Sequence, residues 1–307
     1  MHEIDLVPFD GTNPICFLAA LGVLGVLTRD GRDATLRWTD ELVPHAVVTG
    51  AASIDELVMV VDADRGRWQR SAVLDWPPGT PLEHARPGPD ELRAWTAAVL
   101  EVATQRPWDA ELFSALVAEG GLDRSGKAKP THFDFTAGQQ RFLRDARTLR
   151  DGLTPELIRN ALFGPWEPID RLPLLRWDLA GDRPYAVAAT DPSKRSPAGV
   201  PAMIWLAFLG LACYPVVGID GGVHTTACDR EWKRSAFRWP LWSGPLDWDT
   251  AGALVADRSV VGPRADLNTA RLARRGVHRV LEAPIRRTDQ GGYGSFGTAL
   301  TLAEAAR

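Results

Sequence analysis

The chain has 307 residues, enough for one large domain or two ordinary ones. Its 45% hydrophobic and 24% charged residues allow a substantial core and exclude global disorder. A net charge of −4 excludes a uniformly basic polyanion binder, yet residues 230–287 hold twelve Lys/Arg against six Asp/Glu, a local +6 that leaves −10 elsewhere.

Glu3–Phe9 alternates as a short strand. Asn13 and Pro14 predict the N-cap and first position of a helix over Ile15–Leu27, apolar nearly all round and therefore central. Gly22 and Gly25 weaken that helix intrinsically, which points to another element packed close against them. Ala34–Thr39 and His45–Val48 read as strands, and Ser53-Ile54-Asp55-Glu56 opens a helix by a capping pattern. Pro77–Gly88 reads as a loop. Pro89 starts a helix to about Gln105 with Leu92, Trp95, Val99 and Val102 on one face, and Asp109–Glu119 forms the next.

Gly120–Pro130 reads as a polar loop, and Phe133 and Phe135 alternate as a short strand. Ala137–Arg150 predicts a basic helix, and Thr154 caps another over Pro155–Phe163. Residues 164–200 read as loop with a strand at Tyr185–Ala189, before a helix over Met203–Tyr214. Strands follow at Val223–Ala227, Ser235–Trp239 and His278–Ile285. Between them, Asp247 caps a helix over Trp248–Ala256, and Asn268–Gly276 makes a short one. Gly291–Gly297 reads as a tail loop. The expected fold class is α+β: one extended mixed domain over 1–307, with a helix-rich N-terminal half and a strand-richer C-terminal half. A subdivision at 1–170 and 171–307 is the alternative.

Cys16, Cys213 and Cys228 are widely spaced, which argues against a disulfide scaffold and fits a reducing cytoplasm. Glu3 and Asp5 stand where a secretory leader would be basic. Ile15–Leu27 is too short to span a bilayer, and prolines and glycines interrupt Ala198–Val217, so both are expected as buried helices rather than membrane spans.

Three small constellations carry little chemistry. His132 and Asp134 could begin a metal site, but no further ligands stand at motif spacing, and a strand with one polar face explains them as well. His224 and Cys228 lack the second pair that zinc requires. Ser295 has little chain after it and no following histidine, so it makes a poor nucleophile elbow. No phosphate loop or dinucleotide fingerprint occurs. No catalytic residue, metal or cofactor is expected.

Basic residues make the stronger candidates. Lys127, Lys129, Arg141, Arg144 and Arg147 lie in one segment, and with Arg150 the arginines recur every third residue along the predicted helix. A row of cations binds phosphates because neutralisation releases counterions. A second set, Arg230, Lys233 and Arg234, is interleaved with Trp232 and Trp239, ahead of Trp242. Such aromatics can stack bases, dock a protein partner, or simply hold a strand by cation–π contacts.

Several blocks recur in a recognisable order. They are Thr12-Asn13-Pro14 with Phe17-Leu18-Ala19-Ala20-Leu21-Gly22, His132-Phe133-Asp134-Phe135-Thr136-Ala137-Gly138-Gln139-Gln140, Leu175-Arg176-Trp177-Asp178, Thr190-Asp191-Pro192-Ser193, and Trp239-Pro240-Leu241-Trp242. In that order the chain resembles the family described as the helicase-nuclease extension, or accessory subunit, of subtype I-G (formerly I-U) CRISPR systems. The resemblance implies a component of RNA-guided DNA interference, with other effector subunits, guide RNA or target DNA, and a helicase-nuclease as partners. It carries over no catalytic residue, and any unwinding or cutting would reside in a partner. The expected function is therefore a non-catalytic subunit supporting nucleic-acid binding or assembly. The alternatives are a protein–protein adaptor using the Trp/Pro surface, or a metal-dependent enzyme around His132 and Asp134.

Overall fold

The computed structural model of the chain describes residues 2–166, 169–177, 199–287 and 294–305. The first strand, β1 (Ile4–Asp10), alternates as its sequence dictates, with Ile4, Leu6 and Phe9 buried. The Asn13 side chain then accepts from the backbone N–H groups of Ile15 and Cys16, and Pro14 occupies the first turn of α1 (Pro14–Arg29). Next come β2 (Leu36–Trp38) and β3 (His45–Val48), and β3 pairs antiparallel with both β1 and β2. Ser53 caps α2 (Ile54–Arg67) by accepting from the Glu56 N–H. The Arg29 guanidinium grips Asp64 of α2 at 2.9 and 3.0 Å, which fastens the end of α1 to that helix.

The helices α3 (Pro89–Val102) and α4 (Pro107–Leu116) lead into a feature unlike its expectation. The segment read as a polar loop forms a hairpin of β4 (Val117–Leu122) and β5 (Ala128–Pro130). The Asp123 carboxylate closes its turn by accepting from the N–H groups of Ser125 and Lys127. Phe133 and Phe135 likewise do not form a strand. They are buried in the irregular stretch that follows β5. The basic helix α5 (Phe142–Gly152) starts later than its composition implies, because Arg141 is still extended and the Glu83 carbonyl accepts from the Leu143 N–H. Thr154 then caps α6 (Pro155–Phe163) as expected.

The second half opens with α7 (Pro201–Gly210) and a 3-10 turn at Leu211–Cys213. A hairpin of β6 (Val216–Ile219) and β7 (Gly222–Thr225) precedes the long strand β8 (Arg234–Trp242). Three helices follow: α8 (Trp248–Ala256), capped by Asp247, then α9 (Arg258–Val261) and α10 (Thr269–Arg274). The strand β9 (Val277–Arg287) pairs with β8 on one edge and with β10 (Gly294–Phe296) and β11 (Leu300–Glu304) on the other, all antiparallel. Residues 294–296, read as part of a loop, are thus a strand. The proposed strand at Tyr185–Ala189, the Thr190–Ser193 block and Asp178 lie outside the described residues. Helices and sheets intermix throughout, so the α+β class holds. Among the described residues no helix is long and apolar enough to cross a membrane.

The core forms where α1 crosses α7. Residues 14–27 of α1 and every residue of α7 are buried. A Cβ on Gly22 would lie 1.9 Å from the Leu206 carbonyl oxygen, and one on Gly210 would lie 2.0 Å from that of Leu18. Each helix therefore offers a glycine to the other's backbone, a separation no side chain permits. Around this crossing Phe17 stacks on Trp38 at 5.5 Å and meets Trp242 edge-on at 6.1 Å, which ties both sheets to α1. Gly22→Ala is expected to lower the unfolding free energy in urea by about 3 kcal/mol, because the backbones must separate. Gly252→Ala, in α8 with open space around it, should be neutral or stabilise by up to about 1 kcal/mol. Equal stability of the two variants would contradict the close crossing.

Candidate nucleic-acid interface

The arginines of α5 fasten the fold. Arg147 turns inward and donates to the carbonyl oxygens of Leu74 and Leu82 at 2.6 and 2.8 Å, and burial lowers its pKa. Arg150 is buried on Asp75, Asp151 and the Trp68 carbonyl. Arg141 donates to Glu83 at 3.1 Å and to the carbonyls of Gly138 and Gln140. Arg144, the most exposed of the four, reaches Asp145 at 3.3 Å and Glu83 at 3.8 Å. The expected phosphate-binding row is corrected at Arg147, which is an internal clamp, while Arg141 and Arg144 pair with Glu83 of the loop after Pro77, and Arg144 also with Asp145 of α5 itself.

Lys129 is also committed, since its ammonium donates to the Gly221 carbonyl at 2.7 Å and joins the two small hairpins. Lys127 is exposed in the hairpin turn. Trp239 and Trp242 are fully buried, and their indole N–H groups donate to the carbonyls of Gly11 and Leu36 at 2.9 and 2.7 Å. These two tryptophans build the core, so they neither stack bases nor dock a partner. A Trp/Pro adaptor surface loses two of its three tryptophans with them.

The second basic set is brought together with residues from a distant part of the chain. The β8–β9 register sets Arg234 directly opposite Arg286. Four residues further along the same face, the pair is of opposite sign: Arg238 opposes Glu282 and donates to it at 2.6 Å. Asp229 adds two further bonds to Arg238 at 2.8 and 3.0 Å. Between the two pairs lies an open groove of about 510 Å³ floored by Ala236 and Pro284. Among the described residues, five cations line it (Lys233, Arg234, Arg238, Arg286 and Arg287) with two carboxylates, Asp229 and Glu282. Arg230 is exposed just before this stretch.

Arg287 anchors the groove to the rest of the protein. Its guanidinium lies 3.8 Å over the Trp232 ring and donates to the carbonyls of His132 and Asp134 at 2.8 and 3.0 Å. Burial brings its pKa down to about 10, with Asp134 opposing the shift, so it stays charged at neutral pH. Trp232 is half-buried, with the His132 ring 5.1 Å away. Its first role is thus to hold Arg287. The Asp134 carboxylate accepts from Arg86 at 3.1 Å and from the Thr136 hydroxyl at 2.6 Å. His132 Nδ1 lies 2.9 Å from the Thr225 hydroxyl. Those contacts explain His132 and Asp134 as a structural hub under the groove. Among the described residues no three His, Cys, Asp or Glu side chains converge as metal ligands. Cys228 is buried, and burial raises its thiol pKa.

Sequence reasoning missed Arg286 and Arg287. The only signal for them was the basic excess over 230–287, because their pairing with β8 spans a long stretch of chain. No protein-family model matches the chain, and no curated protein matches it.

Burial, with Arg287 adding to it, holds the His132 pKa down at about 4. The unfolded chain takes up that proton near pH 6.5, so it binds more protons than the folded state between those values. Stability from this residue is complete above about pH 6.5 and is lost as pH falls toward 4. Between about pH 7.5 and 5, the wild type should lose roughly 2 kcal/mol more than His132→Asn in urea unfolding. Parallel pH profiles would contradict a neutral, buried His132.

Proposed function

We propose that the chain is a nucleic-acid-contacting subunit of an RNA-guided interference complex, acting in the cytoplasm and carrying no catalysis of its own. The cross-strand pair Arg234 and Arg286 at the mouth of the groove is the observation that carries the nucleic-acid part. The β8–β9 ladder sets these two exposed residues at opposed positions, and further along it Asp229 and Glu282 bond Arg238. A phosphate at the pair gains from both charges and releases counterions. Arg230 and Lys233 extend the positive surface along the entry to β8.

The placement within an interference complex rests on the ordered resemblance of the Asn13-Pro14, His132–Gln140 and Trp239–Trp242 blocks. The structure gives those blocks a physical sense. Asn13 and Pro14 start the central helix, His132–Thr136 seats Arg287, and Trp239 and Trp242 fix β8 in the core. In this proposal the partners are other effector subunits, the guide RNA or target DNA, and a helicase-nuclease that does the unwinding and cutting.

Fluorescence anisotropy with labelled DNA and RNA oligonucleotides over a range of KCl concentrations tests the contact. Wild-type affinity should fall steeply with salt, and the double variant Arg230→Gln/Arg234→Gln should bind more weakly with a log–log slope shallower by about 1–2. Salt-insensitive binding, or a variant indistinguishable from wild type, would overturn the assignment.

A further inference from the structure

Residues 257–277 form α9 and α10 and run into β9, and they hold five arginines, two aspartates and no lysine. Arg258, Arg271 and Arg274 are exposed, and among the described residues no carboxylate pairs with any of them. Resting on the nucleic-acid contact proposed above, we infer that this face is a second contact for the phosphate backbone of the same nucleic acid, with Arg258, Arg271 and Arg274 on its phosphates. The protein then grips its ligand at two separated places.

The two short helices are tied into one surface. Asp257, at the start of α9, accepts from the Arg275 guanidinium at the end of α10. Arg258 and Arg274 each stand next in sequence to one partner of that bond, so they share a neighbourhood. Leu272 is buried and pins α10, while Arg271 and Arg274 stay exposed three positions apart, about 5–6 Å between Cβ atoms. Arg258 also links this face to the first contact. Burial lowers the His224 pKa, and Arg230 and Arg258 both add to the shift, so both guanidinium groups lie close to that ring.

The spacing of the two contacts follows from the β8–β9 ladder. Arg275 and Gly276 lead directly into Val277, which opposes Trp242, whereas Arg234 stands at the other end of the nine-residue β8. The strand separates the contacts by about 27 Å, the length of about eight base pairs of duplex. The chemistry of the face favours a polyanion over a protein. Residues 257–277 expose no large apolar side chain that would anchor a protein partner. Their guanidinium groups stand among Ala, Thr and Asn, and such planar forks match phosphate oxygens.

The test uses two labelled DNA probes, a duplex of about twenty base pairs and a single strand of the same length, over a range of KCl concentrations. Wild type is compared with Arg230→Gln/Arg234→Gln and with Arg271→Gln/Arg274→Gln. A charge-matched control, Arg70→Gln/Arg93→Gln, removes two exposed cations from the turn after α2 and from α3. Unfolding temperatures confirm that every variant is folded. The inference predicts that Arg271→Gln/Arg274→Gln weakens binding by about tenfold, with a log–log salt slope shallower by about 1–2, while the control stays within about twofold of wild type. An α10 variant that binds like the control, beside a weakened Arg230→Gln/Arg234→Gln, would overturn the second contact and leave the proposed function standing. The α10 arginines would then be left to an acidic protein surface. No wild-type binding to either probe would overturn both.

Discussion

Two helices cross here at a distance that only glycine permits. Gly22 of α1 lies against the Leu206 carbonyl of α7, and Gly210 of α7 lies against the Leu18 carbonyl of α1. The contact is reciprocal, so neither helix can shift without losing both close approaches. Because the two helices are apolar on every side, the rest of the chain is arranged as a shell around them. The tryptophans of β2 and β8 pack on Phe17 of α1, and Arg29 ties the C-terminal end of that helix to α2.

That core also determines where the charged groove sits. Trp239 and Trp242 are bonded to the backbone at Gly11 and Leu36, which fixes the position and twist of β8 relative to the N-terminal sheet. Pairing with β9 then forces Arg234 and Arg286 into apposition at the far end of the ladder. Arg287 closes the arrangement by binding two carbonyls of the His132–Asp134 turn, and Trp232 packs on its guanidinium. Within the groove, Arg238 and Arg287 are held in place by carboxylates and backbone carbonyls. Such preorganisation reduces the ordering cost of binding.

The parts of this fold that local chemistry decides were legible in the sequence. Asn13, Ser53, Thr154 and Asp247 all cap the helices assigned to them, and Gly22 did mark a close approach. Distant partners were not legible. Arg147 looks like a surface cation until the chain returns the carbonyls of Leu74 and Leu82 to it. Trp239 looks like a contact residue until its indole meets Gly11, 228 positions away. The β4–β5 hairpin was hidden by its polar turn, since the closing interaction belongs to one aspartate, Asp123. The basic excess over 230–287 located the site only coarsely, because strand register, which no local pattern contains, decides which arginines meet.

The central claim is that nucleic acid contacts the β8–β9 end and leaves the α5 arginines untouched. Arginine footprinting tests it directly: the folded protein is treated with a dicarbonyl reagent, with and without a bound oligonucleotide, and the modified residues are read by mass spectrometry. The account predicts that the oligonucleotide shields Arg230, Arg234 and Arg286 and leaves the reactivity of Arg144 unchanged. Shielding of Arg141 and Arg144, with Arg234 as reactive as in the free protein, would contradict it.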